Sequence, residues 1–194
     1  MSGETFSSQR PGLGDDPDAA LMLAYQQGNQ GAFEQIVQRN QQRVYAVVAR
    51  FLGAGAEAED LAQEVFLRVW RSSGRYRPTA RFSTWLYRIT ANVCLNALRA
   101  RPSATILSLD SLKVEGLASR VQNDPSAGLA RAEQRRRIEA ALDALPGQQK
   151  LAIILHKYQG LNLKDIADVL GMTPQAVKSL LSRARDNLRR TLQG

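Results

Sequence analysis

The sequence predicts an all-α protein built as two small helical domains joined by a flexible linker. Three observations lead there. Apolar residues recur at spacings of three and four through most of the chain, the signature of helices with one buried face. No stretch of useful length alternates apolar and polar residues as a half-buried strand would. The stretch from Arg101 to about Gly128, "RPSATILSLDSLKVEGLASRVQNDPSAG", loses the periodicity and fills with Ser, Pro, Gly and Asp. It is long for a loop within one compact domain and reads as a linker. The expected division is a disordered tail over 1–16, a helical domain over 17–100, the linker over 101–128, and a second helical domain over 129–194.

The tail, "MSGETFSSQRPGLGDDP", has no apolar stretch behind a basic start and is not read as a signal peptide. Its Ser, Gly, Pro and Asp content suits disorder. The first domain opens with "DAALMLAYQQGNQGAFEQIVQRNQQRVYAVVARFLG", helical in spacing and punctuated by Gly28, Gly31 and Gly53. "AEAEDLAQEVFLRVWRSSG" is a second helical unit, stopped by Ser72, Ser73 and Gly74. Within it Leu61, Val65, Phe66, Val69 and Trp70 are expected to face inward, and Asp60, Gln63, Glu64 and Arg71 outward. A further helix follows Ser83, the expected N-cap.

The second domain divides into four helices. The first ends near Leu145, where Pro146 and Gly147 interrupt it. The next runs through "QQKLAIILHKYQG". The third is "LKDIADVLG", with Asn162 as cap and Asp165 three residues on as its capping-box partner. Gly171 makes the turn, Thr173 caps the last helix, and Pro174 takes its first position, where a missing N–H costs nothing.

The chain carries a formal net charge of +8 over 194 residues and a sequence pI near 10.1. Such a balance favours a polyanionic partner, most often nucleic acid. The distribution sharpens this. From Val65 to Leu109 there is no Asp or Glu, while Arg68, Arg71, Arg75, Arg77, Arg81, Arg88, Arg99 and Arg101 all fall there. Arginine offers a planar fork to phosphate and a face to bases. On a helix from Ser83 to Leu98, Trp85, Arg88, Asn92, Asn96 and Arg99 form one stripe. An aromatic ring beside guanidinium and amide groups is the chemistry of single-stranded nucleic acid, where bases stack, phosphates pair and amides read exposed edges.

The last helix makes a second nucleic-acid face. Val177, Leu180, Leu181, Ala184 and Leu188 share one side, which holds the helix to its scaffold. Opposite them lie Gln175, Ser179, Ser182, Arg183, Asp186 and Arg190, flanked by Lys178 and Arg185. With the short turn at Gly171 before it, this is the pattern of a helix-turn-helix recognition helix. The acidic outer face of the helix before the stripe, with Asp60, Gln63 and Glu64, should repel DNA; spacing alone fits a solvated face more readily than a protein partner.

Three of these segments, "AEDLAQEVFLRVWR", "FSTWLYRITANVCLNALR" and "GLNLKDIADVLGMTPQAVKSLLSRARDNLRR", resemble regions 2.2, 2.3–2.4 and 4.2 of bacterial RNA polymerase sigma factors of the sigma-70 family. A short chain with only regions 2 and 4 joined by a linker resembles the extracytoplasmic-function (ECF) group. The resemblance spans nearly all of 17–194. It implies that Asp60, Gln63 and Glu64 dock on the clamp helices of the polymerase β′ subunit. It implies that Tyr76, Arg77, Arg81 and Phe82, in or beside the loop that captures a flipped base, and Trp85, Tyr87, Arg88, Asn92 and Asn96 meet the melted −10 element. Lys178, Ser179, Ser182, Arg183 and Arg185, with Gln175 beside them, would read the −35 element in the major groove. Region 4 would also grip the β flap, and the linker would thread toward the active-site cleft and RNA exit path. Members of the group bind promoter DNA poorly until core polymerase separates their domains, and an anti-sigma factor often holds the domains together. The chain departs from the family pattern at Arg81, where an acidic residue or Gly commonly stands, and at Ser182, where a bulkier side chain is usual. Both departures bear on which promoter is read.

Two other functions fit less of the chain. A lone helix-turn-helix regulator would use the second domain but neither the aromatic–arginine stripe nor the acidic helix. An enzyme would need a site, and Cys94 and His156, the single cysteine and single histidine, fall in different domains. They offer no basis for a zinc site or a disulfide. No cofactor is expected, the apolar runs are too short to insert in a membrane, and the expected compartment is the cytoplasm.

Overall fold

The computed structural model describes the backbone of residues 16–101 and 125–193, and the side chains of 16–101 and 133–193. The tail before Asp16 and most of the predicted linker lie outside them. Among the described residues there are eight α-helices and no strand: α1 (Pro17–Gln26), α2 (Gln30–Leu52), α3 (Ala56–Ser72), α4 (Phe82–Ala100), α5 (Pro125–Asp143), α6 (Gly147–Lys157), α7 (Leu163–Leu170) and α8 (Pro174–Gln193). A single 3-10 turn, Ser73–Arg75, follows α3. Helix α5 starts within the span expected to be linker.

Local chemistry sets most boundaries. Asp16 caps α1, its Oδ1 accepting from the N–H groups of Asp18 (3.1 Å) and Ala19 (3.2 Å), and Pro17 takes the first helical position. Asn162 Oδ1 accepts from Asp165 N at 2.9 Å to start α7. That helix ends at Gly171, whose φ of +66° is a left-handed conformation glycine adopts without strain. Thr173 Oγ1 accepts from Ala176 N at 3.2 Å at the head of α8. Helix α4 differs from expectation. It begins one residue early, so Ser83 lies inside the first turn, and its first N–H is held from outside the helix.

Helices α1 to α4 pack around Met22, Ile36, Val44, Val48, Val65, Val69, Phe82 and Leu86. Helices α6 to α8 pack around Leu151, Ile154, Leu155, Ile166, Val177 and Leu181, with α5 laid along α8. These two cores merge. Helices α6 and α7 pack on α4, and α6 also packs on α2. Buried Lys150 of α6 donates to Phe51 O in the last turn of α2 at 2.6 Å and pairs with Asp143, its ammonium 5.5 Å from the Phe51 ring centre. At the head of α6, Gly147 sits so close to α4 that an added Cβ would lie 2.6 Å from Leu98 Cδ2.

Candidate nucleic-acid interface

Helix α4 divides sharply into two sides. Phe82, Leu86, Thr90, Ala91, Val93 and Cys94 are buried, whereas Arg88, Asn92, Asn96 and Arg99 stand exposed in one line along the axis. Arg99 Nη1 donates to Asn96 Oδ1 at 3.3 Å, which orients two members of the stripe toward each other. Arg77 and Arg81, exposed in the loop before α4, extend the cationic surface past the helix N-terminus. No acidic residue falls within the loop or the stripe itself, and Asp16 and Asp165 lie only at its edge, so a polyanion meets a predominantly positive surface.

The aromatic residues expected on this surface lie deeper. Tyr76 is 2% exposed and Phe82 fully buried, so neither ring is open to a base in this conformation. Trp85 is half-buried, its ring centre 4.9 Å from that of Tyr76 and 5.5 Å from that of Phe82. The loop folds under the helix, and the three rings meet in edge-on and tilted packings that favour their quadrupoles. Trp85 alone keeps an open edge beside the stripe. Burial, aided by the nearby charge of Asp16, pushes the Tyr76 phenol up to about 12.

Tyr87 departs from expectation for a different reason. Its hydroxyl donates to Gln159 Oε1 of the other domain at 2.7 Å, and the ring is 5% exposed. Arg43, Arg81, Ser83, Tyr158 and Asp165 line a polar cleft of about 370 Å³ at this junction. Arg50 lies over the Tyr158 ring at 4.5 Å. In this closed arrangement the turn after α6 therefore abuts the N-terminal end of α4, at the head of the stripe.

Helix α8 places its expected residues as the sequence suggests. Val177, Leu180, Leu181 and Ala184 are buried against α6 and α7, while Gln175, Lys178, Ser179, Ser182, Arg183 and Arg185 are all exposed. Ser179 bonds back to Gln175 O at 3.1 Å and Arg183 Nε to Ser179 O at 3.4 Å, leaving the tips of the lysine and arginines free for a groove.

On α3, Asp60 and Gln63 are exposed and Glu64 is partly so. Arg68 donates to Glu64 at 2.7 Å, and this bond holds the Glu64 carboxyl below its ordinary range. Trp70 corrects the sequence reading. It is 52% exposed, not inward-facing, and its indole N–H donates to Tyr25 Oη of α1 at 2.8 Å. Leu67, one turn earlier, is 48% exposed. The acidic face thus continues into an apolar strip, Leu67 and Trp70, of which spacing assigns Trp70 to the core. A large exposed indole tethered in place is the composition of an interface anchor.

Among the described residues no group of His, Cys, Asp and Glu could hold a metal ion, and no helix is long and apolar enough to cross a membrane.

Comparison with known proteins places both halves of the chain in one family. The Sigma-70 region 2 family matches residues 36–103, which carry α3 and α4, and the Sigma-70 region 4 family matches residues 135–188, which carry α7 and α8. The RNA polymerase sigma-H factor of Pseudomonas aeruginosa is 31% identical over 93% of this chain and 96% of its own. The ECF RNA polymerase sigma-E factor of Haemophilus influenzae is 32% identical over 91% of this chain and 95% of its own. Among solved structures, the sigma factor RpoE of Bartonella quintana, determined in complex with the anti-sigma factor NepR, is similar at 25% identity and a TM-score of 0.60, over 83% of this chain and 96% of its own. With both regions in order and full-length relatives above 30% identity, the chain belongs to the sigma-70 family of RNA polymerase sigma factors, in its extracytoplasmic-function group.

Proposed function

We propose that this chain binds core RNA polymerase and directs initiation at promoters whose −35 element it reads with α8 and whose −10 element it helps to melt and hold with α4. The observation that carries the reading is the exposed line Arg88, Asn92, Asn96 and Arg99 on α4. A regulator that relied on a helix-turn-helix alone would have no use for it. In the assignment we favour, Arg77, Arg81 and the open edge of Trp85 complete the single-strand contact. Tyr76 and Phe82 support it from beneath, and Tyr87 joins it once Gln159 lets go.

The α3 face, Asp60, Gln63 and Glu64 with Leu67 and Trp70 beyond them, is the proposed dock for the β′ clamp helices, and region 4 is the proposed contact to the β flap. Regulation by an anti-sigma factor, as in the Bartonella quintana complex, and action in the cytoplasm complete the proposal. The chain contributes specificity to the polymerase and no chemistry of its own. Its single thiol, Cys94, is fully buried and pushed by that burial up to about 12, a packing role and not a nucleophile's.

The test is run-off transcription with sigma-free bacterial core polymerase on DNA from upstream of the chain's own gene. A discrete transcript that requires both proteins is the expected result. Absence of binding between chain and core would overturn the reading.

A further inference from the structure

The loop Tyr76–Arg81 bears Arg77 and Arg81 at the head of the α4 stripe, and beyond the buried Tyr76 ring it has few backbone bonds of its own to hold its shape. Inside it the backbone makes one short-range bond, Thr79 N to Arg77 O at 2.8 Å, and Arg77 Nη1 turns back to Tyr76 O at 2.9 Å. Helix α1 grips both ends instead. At the entrance, Gln26 Nε2 donates to Ser73 O at 2.6 Å and Tyr76 O at 3.1 Å. At the exit, Asp16 Oδ2 accepts from Phe82 N, the first amide of α4, at 2.7 Å.

The Asp16 carboxylate serves two helices at once. Its Oδ1 caps α1 and its Oδ2 takes an orphan N–H of α4. Two helix N-termini, each with a partial positive charge, converge on one anion. A carboxylate bond to a backbone amide is about twice as strong as a neutral one. Asp16 and Gln26 stand at opposite ends of α1, 10 residues long, so the helix works as a rigid strut across the mouth of the loop. The sequence reading had left Asp16 in the tail and given Gln26 no role.

We propose that Asp16 and Gln26 are positioning residues for −10 recognition: they fix the loop that presents Arg77 and Arg81 without touching DNA themselves. The inference rests on the reading of that loop as a −10 contact. The informative substitution is Asp16→Ser. Serine caps α1 as well as aspartate does, but it has one short oxygen and cannot also span to Phe82.

The experiment uses the full chain reconstituted with core polymerase. Two templates are compared, the promoter obtained by run-off transcription and a copy with its −10 bases exchanged, and transcript yield and permanganate reactivity are read on both. Wild-type holoenzyme should prefer the intact element. Asp16→Ser should lower that preference about tenfold while core affinity stays at the wild-type value and the thermal midpoint falls by only a few degrees, from the lost acceptor of Phe82 N. A general loss of fold would depress both templates alike and leave their ratio unmoved, so the ratio isolates positioning. Gln26→Ala, a change at an exposed side chain, should lower the ratio in the same direction and serves if Asp16→Ser proves unstable. Wild-type discrimination in both variants would overturn the proposal. A wild-type holoenzyme indifferent to the −10 bases would overturn the loop assignment itself, and with it this inference.

Discussion

Lys150 offers a direct test of what holds the two domains together. Its side chain is 8% exposed, and its partners differ in kind. Phe51 O belongs to the other domain, at the end of α2 where carbonyls lack partners within the helix. Asp143 belongs to the same domain and its side chain is 57% exposed. Lys150→Met keeps the volume and removes the charge. The Asp143 carboxylate then returns to water at little cost, because most of it is already there. Phe51 O is left buried without a donor, a penalty of about 1–3 kcal/mol, and the favourable position of the cation near the Phe51 ring is lost, about 0.5–1 kcal/mol. Lys150→Met should therefore cost about 1.5–4 kcal/mol. Asp143→Ala leaves the bond to Phe51 intact but strips the buried ammonium of its counter-charge, so it should cost more than the loss of an exposed pair, up to about 3 kcal/mol. Urea titration of both variants, followed by tryptophan fluorescence, measures the two. The same titration of Lys150→Met in an Asp143→Ala background separates the partners: no further loss there would show that Lys150 acts only within its own domain, and the argument for a cross-domain bond would fall.

Other outcomes follow from the same geometry. Arg183→Ala should weaken −35 binding by about 1–3 kcal/mol if the guanidinium makes a bidentate guanine contact; filter binding against a −35 duplex and a random one separates this from a phosphate contact, which would weaken both alike. Glu64→Lys, which would set a third cation beside Arg68 and Arg71, and Trp70→Ala, which removes the tethered indole, should each raise the Kd for core polymerase at least tenfold; an unchanged Kd by fluorescence anisotropy would remove α3 from the dock. Alkali should destabilise the fold. Tyr76 is pushed from 10.0 to about 12 and Cys94 from 9.0 to about 12, so between the unfolded and folded values the unfolded chain has released protons that the folded chain still holds. Stability is then full below pH about 9 and falls as pH rises toward about 12, by about 3 kcal/mol from Tyr76 alone. Urea midpoints across that range should show the fall, and Tyr76→Phe should flatten its upper part.

What the sequence made legible was local. The capping oxygens of Asn162 and Thr173, the turn at Gly171 and Pro174 at the head of α8 act within one turn of helix, and the structure repeats them residue for residue. The exposure of every expected α8 residue follows equally from spacing, because one buried face fixes the opposite one. Long-range packing was not legible. Helical spacing puts Trp70 on the inward side of α3, but α2 and α4 are what cover that helix, and Trp70 meets α1 through Tyr25, whose hydroxyl accepts from the indole while the ring stays outside. Tyr76 and Phe82 precede or begin α4, where spacing along the helix says nothing about whether a loop tucks beneath it. Tyr87 was placed correctly on its helix, but its occupant, Gln159, lies 72 residues away.

The close seating of Gly147 against α4 has a consequence for the chain's life in solution. Phe51 is 3% exposed while the domains are shut, and it lies with Leu95 and Leu98 around that glycine. Parting the domains would wet this apolar patch and strand the ammonium of Lys150 beside it. An opened chain would therefore be adhesive, prone to self-association unless another surface took over the shelter. Any partner that holds the domains apart must supply that cover along with its own contacts. The population of opened chain should accordingly track the supply of such partners more closely than the total amount of the protein.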